Sequence, residues 1–170
     1  MSPEGVSAQV SAGSRLTYRR CLRLDELLAL QCPRSTPLVP DEVLFITVHQ
    51  VFELWLKLLL FELSQARDDM LVGRIAAPRA RLQRCRGIER MLVEQFDVLD
   101  SMTAPEFERF RAVLGTASGA QSAQFLEVEF LSGLKDPGYA EHRGWLTTNE
   151  HELLQRRLSE PCLWNGFLTV

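Results

Sequence analysis

The apolar stretch from Val43 to Phe61 constrains the fold of this chain more than any other segment, because its length approaches that of a membrane span. It also contains polar side chains that a membrane-spanning helix rarely carries, namely His49, Gln50, Glu53 and Lys57. At about 100° per residue, these side chains and that of Glu42 share one narrow stripe of a helix whose remaining surface is apolar. The pattern therefore predicts a helix that is buried nearly all round in a soluble protein.

Helical patterns continue along the rest of the chain, and no segment shows the alternation typical of a half-buried strand. Asp41 is placed to cap the long helix, which is expected to end near Gly73. Residues 78–101 carry apolar side chains on one face, as an antiparallel partner helix would: Leu82, Cys85, Ile88, Leu92, Phe96 and Leu99.

Capping motifs and glycines divide the second half of the chain into further helices. The segments Thr103 to Glu106 and Thr147 to Glu150 have the spacing of capping boxes. Gly115 and Gly133 are placed to end helices. We therefore predict an all-α helical bundle with at least six helices and no sheet.

The two ends of the chain differ from its middle. Residues 1–15 are rich in Ser, Gly and Ala and are predicted to be a disordered tail, whereas residues 16–170 form one helical domain. A short helix over Leu22 to Leu30 is followed by a proline-containing segment, Cys32 to Pro40, which we expect to be extended. Ser159 to Pro161 has the composition of a helix start, but the apolar face that follows stops at Val170. That pattern predicts a chain cut short, or an end buried against a partner.

Charge and cysteine content narrow the classes of function. The chain has 19 Lys and Arg against 22 Asp and Glu, and its net charge of -3 gives no overall attraction to nucleic acid or to an anionic membrane. Its four cysteines form no CxxC pair, and its first residues lack the apolar core of a signal peptide. We therefore expect a cytoplasmic protein with reduced thiols that recognises its partner at a defined site.

Two side chains are candidates for contacts with a ligand. His49 lies on an otherwise apolar helix, where it either exchanges one directed hydrogen bond with a ligand or is a core histidine satisfied by a neighbour. Arg111 shares a short helix with Phe107 and Phe110, a setting suited to binding a carboxylate through two parallel hydrogen bonds. The alternative for Arg111 is an intramolecular salt bridge.

Other groups of polar residues carry weaker signals. His142 and His151 lie in polar segments and are expected at the surface, and no His or Cys cluster has the spacing of a metal site. Six arginines make the second long helix and the residues before it basic: Arg74, Arg79, Arg81, Arg84, Arg86 and Arg90. Because no recognition motif or interleaved aromatic residue accompanies them, we favour a solvated outer face over a nucleic-acid interface.

Two ordered motifs carry a family resemblance. The first comprises residues 16–18 (LTY), 22–28 (LRLDELL) and 41–57 (DEVLFITVHQVFELWLK), and the second comprises residues 107–111 (FERFR) and 114–125 (LGTASGAQSAQF). Both motifs are long and specific, and together they resemble the N-terminal half of the tryptophan 2,3-dioxygenase family. The similarity runs from Leu16 to Leu168.

This resemblance implies an all-α enzyme dependent on haem b. Such an enzyme inserts both atoms of O2 across the indole C2–C3 bond of L-tryptophan and gives N-formylkynurenine. By the same resemblance, His49 is the catalytic histidine that binds the indole N–H, and Arg111 binds the substrate carboxylate. The positions that match the family's substrate site are Phe45, Ile46, Thr47, Val48, His49, Phe107, Arg111 and Leu114. Tyr18 and Leu22 match residues that complete the neighbouring subunit's site in a homotetramer, and Ser118 and Phe125 match the haem pocket.

The chain departs from the family pattern at several positions. It has Pro40 in place of histidine, Cys21 and Ala120 in place of aromatic residues, and Leu126 in place of arginine. These changes leave open a relative that acts on another aromatic substrate. The family's proximal haem histidine and the glycine-threonine segment that holds the substrate ammonium have no match here, and neither His142 nor His151 fits the ligand motif. The resemblance therefore predicts that this chain alone binds haem poorly and has little or no activity.

Two hypotheses follow for function. The first is a dioxygenase whose C-terminal half is lost or lies on another polypeptide. The second is a non-catalytic helical protein whose cleft binds an indole or an amino acid, or that supports oligomerisation.

Overall fold

The computed structural model describes residues 16–138 and 144–170. Those residues form helices and loops but no strand, which confirms the predicted all-α class. The helices are α1 (Tyr18–Cys21), α2 (Leu24–Leu27), α3 (Pro40–Leu71), α4 (Ala76–Asp100), α5 (Ala104–Arg111), α6 (Ala123–Ser132), α7 (Thr148–Ser159) and α8 (Leu163–Phe167). The predicted disordered tail, residues 1–15, and His142 lie outside the described residues.

The chain divides into two compact units, Met1–Cys32 and Pro33–Val170. The first contains α1 and α2, which are two single turns where one helix over Leu22 to Leu30 was predicted. Arg23 interrupts that helix because its backbone is left-handed, with a φ of 51°. Neither turn contains a buried residue.

Helix α3, in the second unit, begins one residue earlier than its predicted cap. Pro40 occupies the first turn, where its fixed φ suits the helix, and Val39 precedes it without a side-chain cap. The predicted cap at Asp41 is therefore wrong, because Asp41 already lies inside the first turn. The helix ends at Leu71, close to the expected stop at Gly73.

Glu42 holds the extended segment that leads into α3. Its carboxylate is fully buried and accepts hydrogen bonds from the backbone N–H groups of Arg34 (2.7 Å) and Ser35 (2.9 Å). Burial alone would raise the pKa of Glu42, but these bonds and one from the Ser35 side chain outweigh it and keep the pKa below its usual value. A buried acid thus fixes the proline-containing connection.

Helices α3 and α4 pack antiparallel, as predicted. The main core is built from buried side chains of these two helices and α6: Leu59, Leu60, Leu63, Cys85, Ile88 and Leu131. Further along the pair, the rings of Phe52 and Phe96 have centroids 5.0 Å apart. Phe96 is 52% exposed, so the apolar face of α4 is covered by core only along its first half.

One face of α3 is open, so the expectation of burial nearly all round is wrong. The side chains of Leu54, Leu58 and Phe61 are all exposed along this face. By length and composition alone, α3 is able to cross a membrane. Beside this open face, α3 carries the buried carboxylate of Glu62, which pairs with Arg81 of α4 at 3.1 Å. That ion pair ties the helix to its neighbour in the bundle.

The predicted helix boundaries after α4 are mostly correct. Both capping boxes are present, at the starts of α5 and α7, and Gly133, with a φ of 118°, ends α6. Ser159 ends α7 and does not begin the next helix, which starts at Leu163. Helix α8 packs closely on α3, since a Cβ added to Gly166 would lie 3.1 Å from the carbonyl oxygen of Arg67.

Candidate functional site

The two ring nitrogens of His49 have different surroundings. Nδ1 lies 2.8 Å from the carbonyl oxygen of Phe45, one turn earlier in α3. Because a carbonyl oxygen only accepts hydrogen bonds, Nδ1 is the donor, and in the neutral form of the imidazole Nε2 keeps its lone pair. Nε2 faces Gly119, where an added Cβ would lie 3.0 Å away. One ring nitrogen of His49 is thus hydrogen-bonded within α3. The other nitrogen offers a hydrogen-bond acceptor to a ligand.

Phe45 connects His49 to helix α5. Its ring centroid lies 4.1 Å from that of His49, 5.9 Å from that of Phe107 and 5.7 Å from that of Phe110. Phe110 is fully buried and meets Phe107 edge to face at 5.4 Å. The buried ring anchors α5, and the helix therefore presents Phe107 beside Phe45 as an aromatic wall next to the imidazole.

Arg111 follows Phe107 by one helical turn. Its Nη1 donates to the carbonyl oxygen of Gly115 at 2.8 Å, and within the described residues it forms no ion pair, unlike the predicted salt-bridge alternative. Gly115 has a φ of 58°, in the region that favours glycine. One edge of the guanidinium is thus fixed by a backbone turn, while its remaining N–H groups are suited to a carboxylate.

The loop 115–122 between α5 and α6 is stiffened by its own hydrogen bonds. Nε2 of Gln121 donates to the carbonyl oxygen of Thr116 at 3.1 Å, and Oε1 of the same residue accepts from the backbone N–H of Ser118 at 3.2 Å. Both bonds connect Gln121, which follows Gly119, to residues that precede Gly119. They therefore determine which backbone atoms lie opposite Nε2 of His49.

Two clefts share His49, Gly119 and Ser122. The larger, of about 410 Å³, is here called the apolar cleft, and it is further lined by Phe52, Leu56, Leu92, Phe96, Leu99, Ala120 and Phe125. The smaller, of about 260 Å³, is called the polar cleft, and it is further lined by Phe45, Glu53, Ala117, Ser118 and Gln121. The imidazole of His49 therefore borders a nearly apolar space and a second space whose lining has more polar groups.

Comparison with known proteins agrees with these motifs. The family model described as tryptophan 2,3-dioxygenase matches residues 1–162. A curated tryptophan 2,3-dioxygenase of Nocardioides sp. is 52% identical over 162 residues, covering 93% of this chain and 61% of the relative. The chain belongs to the tryptophan 2,3-dioxygenase family. Relatives of the same name from Herpetosiphon aurantiacus and Xanthomonas campestris are 43% and 42% identical over 90% and 91% of this chain, and the chain spans 58% and 51% of their lengths.

The structure gathers the central part of the site expected for the tryptophan 2,3-dioxygenase family. The rings of Phe45, His49 and Phe107 form one connected group, and Arg111 follows Phe107 by one turn of α5. Leu114 is half-buried in the short turn after α5. Ser118 lines the polar cleft, and Phe125 lines the apolar cleft with half of its surface exposed.

Most residues matched to the family's substrate site line neither cleft, and these include Phe107, Arg111 and Leu114. The hydroxyl of Thr47 donates to the carbonyl oxygen of Val43 at 2.7 Å, and Val48 is buried on another face of α3. Ile46 is half-buried and also borders neither space. Tyr18 and Leu22 belong to the first compact unit, where both are exposed.

Several residues that line the clefts were not predicted as site residues. Phe96 and Leu99 were assigned to helix packing, and Phe52 had no assigned role, although all three line the apolar cleft. Side chains that pack two helices together recur at the same spacing as side chains that line a cleft between them. Periodicity in the sequence therefore cannot distinguish the two roles. Gly119 also had no sequence signal, because its importance lies in its distance from His49.

Two departures from the family pattern have clear structural consequences. Leu126, at a position where the family usually has arginine, is buried in a second core cluster with Phe130 and Leu154. Ala120, at a position where an aromatic residue is usual, lines the apolar cleft. The first change replaces a charge with core packing, and the second leaves the cleft wider.

The basic stretch is partly structural. Arg81 and Arg84 both pair with the buried Glu62, and Arg74 pairs with Asp69 at 2.8 Å. Half of the six arginines therefore join α4 and the turn before it to α3. In the part of the chain that the structure describes, no group of three or more His, Cys, Asp or Glu residues is placed to hold a metal ion.

Proposed function

We propose that this chain forms the part of a tryptophan 2,3-dioxygenase that binds the indole ring and the carboxylate of L-tryptophan. The hydrogen-bonding pattern of His49 carries the proposal: Nδ1 donates within α3, so Nε2 is an acceptor at the clefts. An indole N–H is a donor only and matches this acceptor. The adjacent rings of Phe45 and Phe107 supply apolar contacts for the indole.

Arg111 supports the same proposal from the other end of the ligand. An α-amino acid carries a carboxylate close to its side chain, and a guanidinium binds a carboxylate through two parallel hydrogen bonds. The bond from Arg111 to the carbonyl of Gly115 orients the guanidinium before a ligand arrives. Along α5, the aromatic ring of Phe107 precedes the guanidinium of Arg111. Tryptophan likewise has an indole ring at one end and a carboxylate at the other.

The lining of the apolar cleft fits one face of haem b. Phe96 and Phe125 are both more than half exposed there, and a flat apolar group would cover such surfaces. Phe52, Phe96 and Phe125 would contact the porphyrin, and the iron supplies the activation of O2 when the group is bound. His151, the other described histidine, is exposed on α7 and does not line the cleft. Weak haem binding by this chain alone stays a prediction.

The proposed assembly is a homo-oligomer, a tetramer in the family. The first compact unit supports this, because its two helical turns have no buried residue and its apolar side chains are 60% or more exposed at four positions: Leu16, Tyr18, Leu28 and Leu30. Such a unit is too small to have a core and is stabilised by packing on a neighbouring subunit. Analytical ultracentrifugation tests this: Leu28→Glu should shift the chain toward the monomer, and an unchanged mass would contradict it.

A matrix of ligands and variants tests the substrate site. The ligands are L-tryptophan, tryptamine, which lacks the carboxylate, and 1-methyl-L-tryptophan, which lacks the indole N–H. Calorimetry should show weaker binding of both analogues to the native chain than of L-tryptophan. The loss should be roughly tenfold or more for tryptamine, which lacks a charge-assisted contact, and roughly fivefold for 1-methyl-L-tryptophan, which lacks a neutral hydrogen bond. The penalty for tryptamine should disappear in Arg111→Ala, and the penalty for 1-methyl-L-tryptophan should disappear in His49→Phe.

Arg109→Ala provides the matched control, since Arg109 lies on the same helix and is exposed. Equal affinity of the native chain for L-tryptophan and tryptamine, or an equal loss in Arg109→Ala, would contradict the proposed site. The same assay with haem and O2, followed by detection of N-formylkynurenine, tests the prediction of little or no activity, because product formed by this chain alone would contradict it.

A further inference from the structure

Gln124 joins helix α6 to helix α3 through two hydrogen bonds. Its Nε2 donates to the backbone carbonyl of Glu53 at 2.9 Å and to the carboxylate oxygen Oε2 of the same residue at 2.6 Å. The two residues are 71 positions apart in the chain, so the bonds fix tertiary structure and do not follow from local geometry. The bond to the carboxylate is charge-assisted and therefore among the stronger side-chain contacts.

The location of this pair relates it to His49. Glu53 follows His49 by one helical turn and lines the same polar cleft. Gln124 lies in the first turn of α6, two residues after Ser122, which caps that helix by accepting a hydrogen bond from the backbone N–H of Phe125 at 3.0 Å. The pair therefore holds the end of loop 115–122 against the turn of α3 that carries the imidazole.

The internal bonds of the loop transmit this restraint to Gly119. Gln121 bonds to the backbone at Thr116 and Ser118, so the loop shifts as one piece when its end at α6 shifts. The space between Nε2 of His49 and Gly119 is small, because a single carbon added at Gly119 would already lie 3.0 Å from the nitrogen. A displacement of a few tenths of an ångström changes the space for a ligand there.

We infer that Glu53 and Gln124 are positioning residues for His49: their hydrogen bonds set the distance between Nε2 and the loop at Gly119. The inference deepens the proposed function, since a ring N–H bound at Nε2 has to fit into this space. Neither residue needs to touch the ligand. The pair acts through the position of the loop.

Four variants separate hydrogen bonding from simple packing. Gln124→Leu removes the donor with little change in size, and Glu53→Gln keeps a side-chain acceptor oxygen. Gln124→Glu sets two carboxylates against each other. The exchange pair Glu53→Gln with Gln124→Glu restores one donor and one acceptor in reversed roles. Gln155→Leu, at an exposed position on α7, is the matched control.

The primary measurement does not depend on any ligand. Two-dimensional ¹⁵N NMR records the amide shift of Gly119 and the ring-nitrogen shifts of His49 in the full chain. We expect both signals to move in Gln124→Leu and Gln124→Glu, to stay close to the native positions in Glu53→Gln and Gln155→Leu, and to return toward them in the exchange pair. Unchanged signals in Gln124→Leu, or an exchange pair no closer to native than Gln124→Glu, would overturn the inference.

L-Tryptophan binding, measured in the same samples, provides the second readout. Gln124→Leu should lower the affinity about five- to tenfold, the size expected for one lost hydrogen bond, while Glu53→Gln should stay within about twofold of the native chain. Native binding without any loss in Gln124→Leu would overturn the positioning role. NMR shifts that respond as expected in a chain that binds no L-tryptophan would support the positioning role and contradict the proposed function.

Discussion

Nε2 of His49 and the α-carbon of Gly119 face each other so closely that a methyl group on the glycine would lie 3.0 Å from the nitrogen. Nδ1 of the same ring is occupied by the carbonyl oxygen of Phe45, at 2.8 Å. The imidazole is therefore held in its own helix by one nitrogen, and the other nitrogen is accessible only because residue 119 has no side chain. This relationship links α3 to loop 115–122 and places Nε2 where the two clefts meet.

Gly119→Ala should weaken L-tryptophan binding while leaving folding nearly intact. The added methyl group displaces the imidazole or blocks Nε2, and the loss of that hydrogen bond corresponds to about a tenfold lower affinity. Calorimetry and thermal unfolding measure the two effects. Gly144→Ala is the control, because a Cβ there meets no atom within 4 Å. Native affinity in Gly119→Ala would show that Nε2 does not contact the ligand.

Gly115→Ala should impair recognition of the carboxylate as well as stability. With φ 58° and ψ -121°, this backbone strains a residue with a side chain by about 1–3 kcal/mol, and relief of that strain moves the carbonyl that holds Arg111. Gly73→Ala, at a φ of 76° far along the chain from Arg111, should lower stability similarly but leave the preference for L-tryptophan over tryptamine unchanged. An equal loss of preference in both variants would argue against the anchoring role of Gly115.

Glu42 should make part of the folding stability dependent on pH. Its pKa is lower in the folded chain than its usual value of 4.5, so its contribution is complete above that pH and is lost as the pH falls through the lower folded value. Glu42→Gln should cost about 1.5–3 kcal/mol at pH 7 and flatten the acid limb of the stability curve. Urea unfolding between pH 7 and pH 3 tests this, and an unaltered acid limb would contradict it.

Gly166→Ala should destabilise the packing of α8 on α3. Its Cβ would meet the carbonyl oxygen of Arg67 at 3.1 Å and Cβ of Met70 at 3.2 Å, and neither atom can move away easily. We expect a loss of about 1–3 kcal/mol in the free energy of unfolding. Gly87→Ala, at an open position within α4, should instead stabilise the chain by about 0.5–1 kcal/mol. If both variants changed the free energy of unfolding in the same direction, the predicted difference between the two glycines would be contradicted.

Ala120→Phe should reduce the space in the apolar cleft. The family usually has an aromatic residue here, so the ring should fill part of the volume of about 410 Å³ and favour binding of a flat apolar group by about 0.5–1.5 kcal/mol. Titration with haem, followed by its absorption, measures the effect. Ala112→Phe, at an exposed position after α5, should leave the titration unchanged. Unchanged haem binding in Ala120→Phe would place the porphyrin elsewhere.

Local sequence signals predicted the features that depend on neighbouring residues. The capping boxes at Thr103 and Thr147 and the helix end at Gly133 are set by hydrogen bonds or backbone angles within a few residues. The predicted helix boundaries were wrong where a neighbouring residue also suited the start or end of a helix. Asp41 had the right chemistry for a cap, but Pro40 already fits the first turn, and Ser159 was absorbed into the end of α7.

The sequence by itself determined the all-α class, the positions of the long helices and, through two specific motifs, the family. It also predicted His49 and Arg111 as site residues. Only the tertiary structure decided which faces are covered and how the site is arranged. It left Leu54, Leu58 and Phe61 open on α3, placed Gly119 opposite Nε2 and joined Gln124 to Glu53 across 71 positions. The physical reason is range: helix signals act over one or two turns, whereas clearances and buried hydrogen bonds depend on atoms far apart in the chain.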